Sequence, residues 1–284
     1  MIVARPSRTA LRVAMRRAAH QLFDRPKVLD DSIALPIIGS KAAAKLENER
    51  GNEDGRIAMS VRAFMVARSR YAEDALGHSI ARGAKQYVVL GAGLDTFAYR
   101  NPYPESALRV FEVDYPATQE WKRRQLEEAR IAVPASVTYA PVDFERQTLS
   151  EGLRVAGFDS AKPAFFSWLG VTMYLTEDAI MSTFGFMAST PPGGGVAFDY
   201  AVPRSSLSLL GRIALDAVSR RVAAAGEPFR TFFAPAELAE RLRRAGFASV
   251  EDLGADEINA RYFKDRHDQL KIMGRIGRLM SAQL

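Results

Sequence analysis

Helix-period spacing and short buried runs take turns along this chain. Leu11, Ala14, Met15, Ala18 and Leu22 recur at helical spacing behind the capping candidates Ser7 and Thr9, with Arg12, Arg16 and Arg17 on other faces. This predicts an amphipathic helix docked as a cap. The polar stretch from Glu47 to Gly55, with two glycines, reads as an exposed loop between cap and core. From Ile57 to Arg82 a second helical pattern carries Val61, Phe64, Met65, Ala72, Ala75, Leu76 and Ile80, and Gly83 is placed to end it. Short apolar runs then predict strands at Tyr87 to Leu90, Leu108 to Val113, Val137 to Val142, Ala164 to Leu169 and Val196 to Tyr200. Helical patterns follow Pro116 and Thr176.

Strand and helix are thus expected to alternate five times, which argues for an α/β fold: a mostly parallel sheet with helices on both faces. Residues 207 to 225 and 235 to 245 read as further helices, with a short late strand near Ser249 to Leu253. The division expected is a helical cap over 1–56 and a core over 57–284, with 201–234, the segment after the fifth strand, as a lid.

The run Gln86-Tyr87-Val88-Val89-Leu90 breaks into Gly91-Ala92-Gly93. Such a break lets a ligand approach the backbone at a strand's carboxyl end, where open α/β sheets bind their ligands. The third glycine of a dinucleotide fingerprint is replaced by Thr96, so a ligand without a pyrophosphate fits better.

Composition narrows the class. With 48% hydrophobic and 25% charged residues the chain is globular, and no apolar run reaches the ~18 residues of a membrane span. Cysteine is absent, which removes disulfides, thiolate metal sites and cysteine nucleophiles and fits a cytoplasmic protein. His20, His78 and His267 are too scattered to form a metal site. The net charge of +6 is terminal: residues 1–27 carry seven basic side chains against Asp24, and the body from 28 to 260 is about −4. With no stripe of interleaved basic and aromatic residues, nucleic acid is not the expected partner.

Acidic residues end the next two strands. Asp114, 23 positions after Gly91, is placed to accept hydrogen bonds from both hydroxyls of a ribose, and Asp143 with Phe144 is placed to meet an adenine.

Several spaced motifs now coincide: Ala67-Arg68-Ser69-Arg70-Tyr71, the segment Val89 to Thr96, Phe111-Glu112-Val113-Asp114 and Trp168-Leu169-Gly170-Val171-Thr172-Met173-Tyr174-Leu175-Thr176. In this order the chain resembles the leucine carboxyl methyltransferase superfamily, and within it the actinobacterial S-adenosylmethionine-dependent group. The resemblance implies a class I methyltransferase, Rossmann-like fold with S-adenosyl-L-methionine as cofactor. Gly91, Ala92 and Gly93 would lie beside its methionine part, Asp114 on the ribose, Asp143 and Phe144 at the adenine, and Arg68 on the carboxylate. Leucine carboxyl methyltransferases have a Glu where this chain has Leu169.

The expected reaction is O-methylation of a small-molecule acceptor. A carboxylate is already ionised at neutral pH and needs no general base, whereas a hydroxyl usually needs one. With no histidine at a strand end, the carboxylate is preferred and an activated phenol is the alternative. Tyr174, Tyr200, Glu227 and Arg230 are the expected acceptor contacts. An NAD(P)-dependent oxidoreductase and a non-catalytic S-adenosylmethionine-binding protein are the rival readings.

Overall fold

The computed structural model describes residues 8–48, 51, 55–143, 146–224 and 226–284. Its centre is a seven-stranded sheet in the order β3-β2-β1-β4-β5-β7-β6. The strands are β1 (Gln86–Leu90), β2 (Arg109–Asp114), β3 (Val137–Pro141), β4 (Ala164–Trp168), β5 (Gly195–Ala201), β6 (Ser249–Leu253) and β7 (Gly277–Gln283). The first five pair in parallel, while β7 runs antiparallel to both β5 and β6.

Ten α-helices are described: α1 (Arg8–Phe23), α2 (Ala34–Ile37), α3 (Ser40–Asn48), α4 (Arg56–Ala81), α5 (Pro116–Glu128), α6 (Leu149–Val155), α7 (Glu177–Ala188), α8 (Leu209–Ala223), α9 (Pro235–Ala245) and α10 (Ala255–Tyr262). Their starts follow local chemistry. Pro116 sits in the first turn of α5, Thr148 and Glu151 form a reciprocal capping box on α6, and the Thr176 hydroxyl accepts from the Ala179 N–H on α7. Gly246, at φ +114°, ends α9 in the left-handed conformation that glycine adopts without steric cost.

Apolar residues of α6, α7 and α9 pack on one face of the sheet with Phe166, Phe198 and Tyr200. Those of α4 and α10 pack on the other with Tyr87, Phe165 and Ala197. A third cluster joins α1, α2 and α3 to Leu94 and Leu126, so the cap shares its apolar core with the strand-one loop and α5. Ion pairing reinforces this seam: Arg62 of α4 donates through Nε and Nη2 to the two oxygens of Asp24, at 2.7 and 2.8 Å.

Three expectations change. β7, which no local pattern signals as a strand, is wedged between β5 and the late strand β6. Its Leu279, Met280 and Ala282 are buried although the segment has no β-branched residue. Second, β1 and β2 are joined by the 3-10 helix Phe97–Tyr99 with no α-helix between them, so the alternation is interrupted there. Third, Glu47 and Asn48 belong to α3, while residues 49, 50 and 52–54 of the expected loop lie outside the described residues. Among the described residues no helix is long and apolar enough to cross a membrane.

Candidate cofactor and acceptor site

A cavity of about 740 Å³ opens along the carboxyl ends of β1 to β4. The turn after β1 forms its floor. Gly91 has φ +65°, and a Cβ there would come within 2.5 Å of Val171 Cγ2; at Gly93, φ +45°, it would come within 3.0 Å of the Ala10 Cβ. Glycine is therefore required twice, for its left-handed backbone and for the close approach of a neighbour.

Asp114 stands at the end of β2 beside this turn. Its Oδ2 accepts from the Gly93 N–H at 2.6 Å and its Oδ1 from the Tyr115 N–H at 2.7 Å. The Thr118 side chain also hydrogen-bonds to this carboxylate, which with about four acceptor sites keeps capacity for a ligand hydroxyl. Burial raises the pKa of this carboxyl, and the two backbone donors and the Lys122 charge oppose the rise. Lys122 is itself buried and salt-bridged to Glu112 at 2.7 Å.

Asp143 lines the cavity at the end of β3 and lies 3.5 Å from the Arg146 Nε. Its expected companion Phe144 lies outside the described residues.

On the opposite side, Arg68 projects from the middle of α4. Its Nη1 donates to Asp199 Oδ2 at 2.9 Å, and the other oxygen of Asp199 accepts from the Gly170 N–H. One carboxylate thus ties α4, β5 and the turn after β4 together. A Cβ on Gly170 would sit 2.9 Å from both terminal nitrogens of Arg68, so the guanidinium lies flat against a glycine that has no side chain to displace it. Among the described residues, Arg68 Nε and Nη2 have no hydrogen-bond partner, and both Arg68 and Gly170 line the cavity.

The roof comes from distant parts of the chain. Thr9, Ala10, Val13 and Arg17 of α1 face the cavity, and the Thr9 hydroxyl donates to Glu227 in the loop after α8. Tyr174 lies under this bridge, its ring 5.5 Å from that of Phe229. Burial first and the Glu227 charge second push its hydroxyl up to about 12, so it is a neutral donor at physiological pH.

Two expected acceptor contacts are corrected. Tyr200 is 1% exposed and does not line the cavity: it points to the α7/α9 face of the sheet and donates to Asp252 Oδ1 at 2.8 Å. Strand alternation explains the error, since a side chain at 200 leaves the sheet opposite to its neighbour at 199, and position 199 faces α4. The Arg230 side chain is exposed and outside the cavity lining, while its backbone N–H donates to the Met173 carbonyl at 2.8 Å.

The structure also brings in residues that the sequence did not single out. Asp199 lies in an apolar strand, and only its buried partner reveals it. The α1 residues carried a helix signal but none for what the helix covers.

The family model for leucine carboxyl methyltransferase matches residues 10–188, a span that holds the glycine turn, Arg68, Asp114 and Asp143. The chain belongs to the leucine carboxyl methyltransferase family. Similar proteins include one from Bacillus subtilis, 34% identical over 93% of both chains, named "Putative S-adenosyl-L-methionine-dependent methyltransferase YktD". A Streptomyces coelicolor protein with the same description, SCO7813, is 37% identical over 43% of this chain and 42% of its own. Two solved structures share the fold at low identity. A DUF574 family protein from Streptomyces avermitilis has TM-score 0.56 and 17% identity over 94% of this chain and 96% of its own. A "putative methyltransferase" from Thermobifida fusca has TM-score 0.58 and 15% identity over 99% and 96%. This family member is an S-adenosylmethionine-dependent methyltransferase of class I fold.

Proposed function

We propose that the enzyme methylates a carboxylate oxygen of a small-molecule acceptor. Its donor, S-adenosylmethionine, supplies when bound a sulfonium that makes one methyl group electrophilic. The cavity suits such a molecule. The glycine turn accepts close backbone approach, Asp114 offers two oxygens to a diol, Asp143 lies one strand further on, and Arg68 presents an open guanidinium edge for a carboxylate. These residues bind and orient. The α1 helix and the Thr9–Glu227 bridge cover the site from water.

The observation that carries the carboxylate reading is the engagement of the histidines elsewhere. His20 is fully buried, with Asp24 on Nδ1 at 2.8 Å and the Val28 N–H donating to Nε2 at 2.9 Å. His78 lines a separate groove and His267 is exposed. Tyr174 holds its proton. A carboxylate is already ionised and needs only placement near the methyl group, with no base to take a proton. Tyr174 is suited to donate a hydrogen bond to the acceptor, with Glu227 orienting it.

The test is transfer of labelled methyl from S-adenosylmethionine to matched sets of carboxylic acids, phenols and alcohols, with base-labile esters as the expected product. Methylation of phenols alone, abolished by Glu227→Gln, would replace this reading with a base-assisted hydroxyl methylation.

A further inference from the structure

The helix α8 wears its apolar side outward. Leu210, Ile213, Ala214, Ala217 and Val218 recur at the spacing of one helical face, and all are exposed. Leu209 and Leu210 are 73% and 79% exposed, Ile213 57%, while Leu215 alone on this helix is buried. Soluble helices ordinarily turn this stripe to the core.

The chemistry around the stripe is basic. The segment 201–234 carries five arginines against Asp216 and Glu227. Asp216 is paired with Arg204 at 3.0 Å, and Glu227 accepts from Thr9. Arg221 continues the apolar stripe at the next helical position, beside Arg220, and Arg230 follows in the loop. Arg12 is exposed one turn beyond Thr9 on α1, which the Thr9–Glu227 bridge brings to the same rim. Among the described residues, none of Arg12, Arg220, Arg221 and Arg230 has a carboxylate within ion-pair distance. The arginines of this segment that lack an acidic partner therefore gather at the carboxyl end of α8 and in the loop that carries Glu227 to the mouth of the cavity, while the exposed leucines and isoleucine lie toward the amino end of the same helix.

We propose that this mouth face docks on an anionic lipid surface, with α8 lying in the headgroup layer. Apolar side chains on the outer face enter the acyl boundary while the flanking arginines meet lipid phosphates, the arrangement of an interfacial amphipathic helix. Charge selects this occupant over a second copy of the chain. Antiparallel pairing of α8 with itself would set Arg220 and Arg221 against the positive amino end of the partner helix, with no acid in the stripe to offset them.

The test is co-sedimentation of the full chain with vesicles of phosphatidylcholine alone and with added phosphatidylglycerol, at low and high salt. Binding is expected to the anionic vesicles and to fall with salt. Ile213→Asp should lower it about tenfold, and Arg220→Gln with Arg221→Gln about fivefold per arginine. None of these residues lines the cavity, so binding of S-adenosylmethionine should be unchanged and reports that each variant is folded. Absence of binding to either vesicle by folded protein overturns the proposal. So does a wild-type dimer that Ile213→Asp converts to monomer without any vesicle binding, which would assign the stripe to a second copy.

Discussion

Arg68 and Asp199 meet at 2.9 Å across 131 positions of sequence, and both are almost fully buried. The pair belongs to the folding of the site as much as to its chemistry, because each leaves the other an unpaired buried charge if removed. Asp199→Ala should destabilise the protein by about 3 kcal/mol or more. Asp199→Asn keeps an acceptor for the Gly170 N–H and should cost less. In both variants S-adenosylmethionine affinity should fall together with stability, read by calorimetric titration beside thermal unfolding. Unchanged affinity in a folded Asp199→Asn would show that Arg68 holds its place unaided.

Gly91→Ala tests the turn. The added methyl meets Val171 Cγ2 at 2.5 Å and imposes a side chain on φ +65°. Cofactor affinity should drop by about tenfold or more, equivalent to about 1.4 kcal/mol. Adding Val171→Ala removes the contact but not the backbone strain, so recovery should be partial. Full recovery would mean that crowding alone makes glycine necessary.

On the proposed ribose-binding role of Asp114, its raised pKa predicts an acid limit for cofactor binding. As pH falls through that raised value the carboxyl takes a proton and loses acceptor capacity, so affinity should decline at a pH above the ordinary aspartate range. Folding responds in the opposite sense. A carboxyl whose folded pKa is raised favours the folded state most below its unfolded pKa, and this contribution shrinks as pH rises through the folded value. Asp114→Asn should bind weakly at all pH values, with a flat profile. A wild-type profile equally flat from pH 4 to 8 would contradict the assignment, on the reference aspartate pKa of about 3.9.

Tyr200→Phe separates core from site. It deletes the bond to Asp252 and should cost about 1 kcal/mol of stability with kcat and KM unchanged. A selective rise in KM would return Tyr200 to the acceptor site.

Thr9→Val breaks the bridge between α1 and the loop after α8. Because the bond is at a partly exposed rim, thermal stability should move by less than about 1 kcal/mol. The KM for acceptor should rise more than kcat falls, since the change loosens a cover over the site.

How much of this was readable beforehand depended on whether the signal was local. The first five strands and the helices after Pro116 and Thr176 announce themselves by short-range pattern and caps, and Asp114 by its place at a strand end. The strand β7 could not be read that way: Arg278-Leu279-Met280-Ser281-Ala282 has no β-branched residue and is a strand because β5 and β6 both pair with it. Asp199 and Tyr200 show the same limit at the scale of one residue. The sequence places both at the end of β5, and the direction each side chain takes depends on register, which neighbouring strands set. The α1 wall over the glycine turn depends on a contact between residues 10 and 93, which spacing does not encode.

The place of β7 in the sheet also bears on how the protein is made. Synthesis delivers β6 before β7, yet β6 reaches the sheet only through β7. Until residues 277–283 have been made, β5 presents a bare edge to other chains, and β6 has no strand to pair with. The same β5 carries Asp199, the anchor of Arg68. A ribosome that stalls late in this message would leave a chain with most of its donor pocket encoded and an unsealed sheet, a species for chaperones rather than for catalysis.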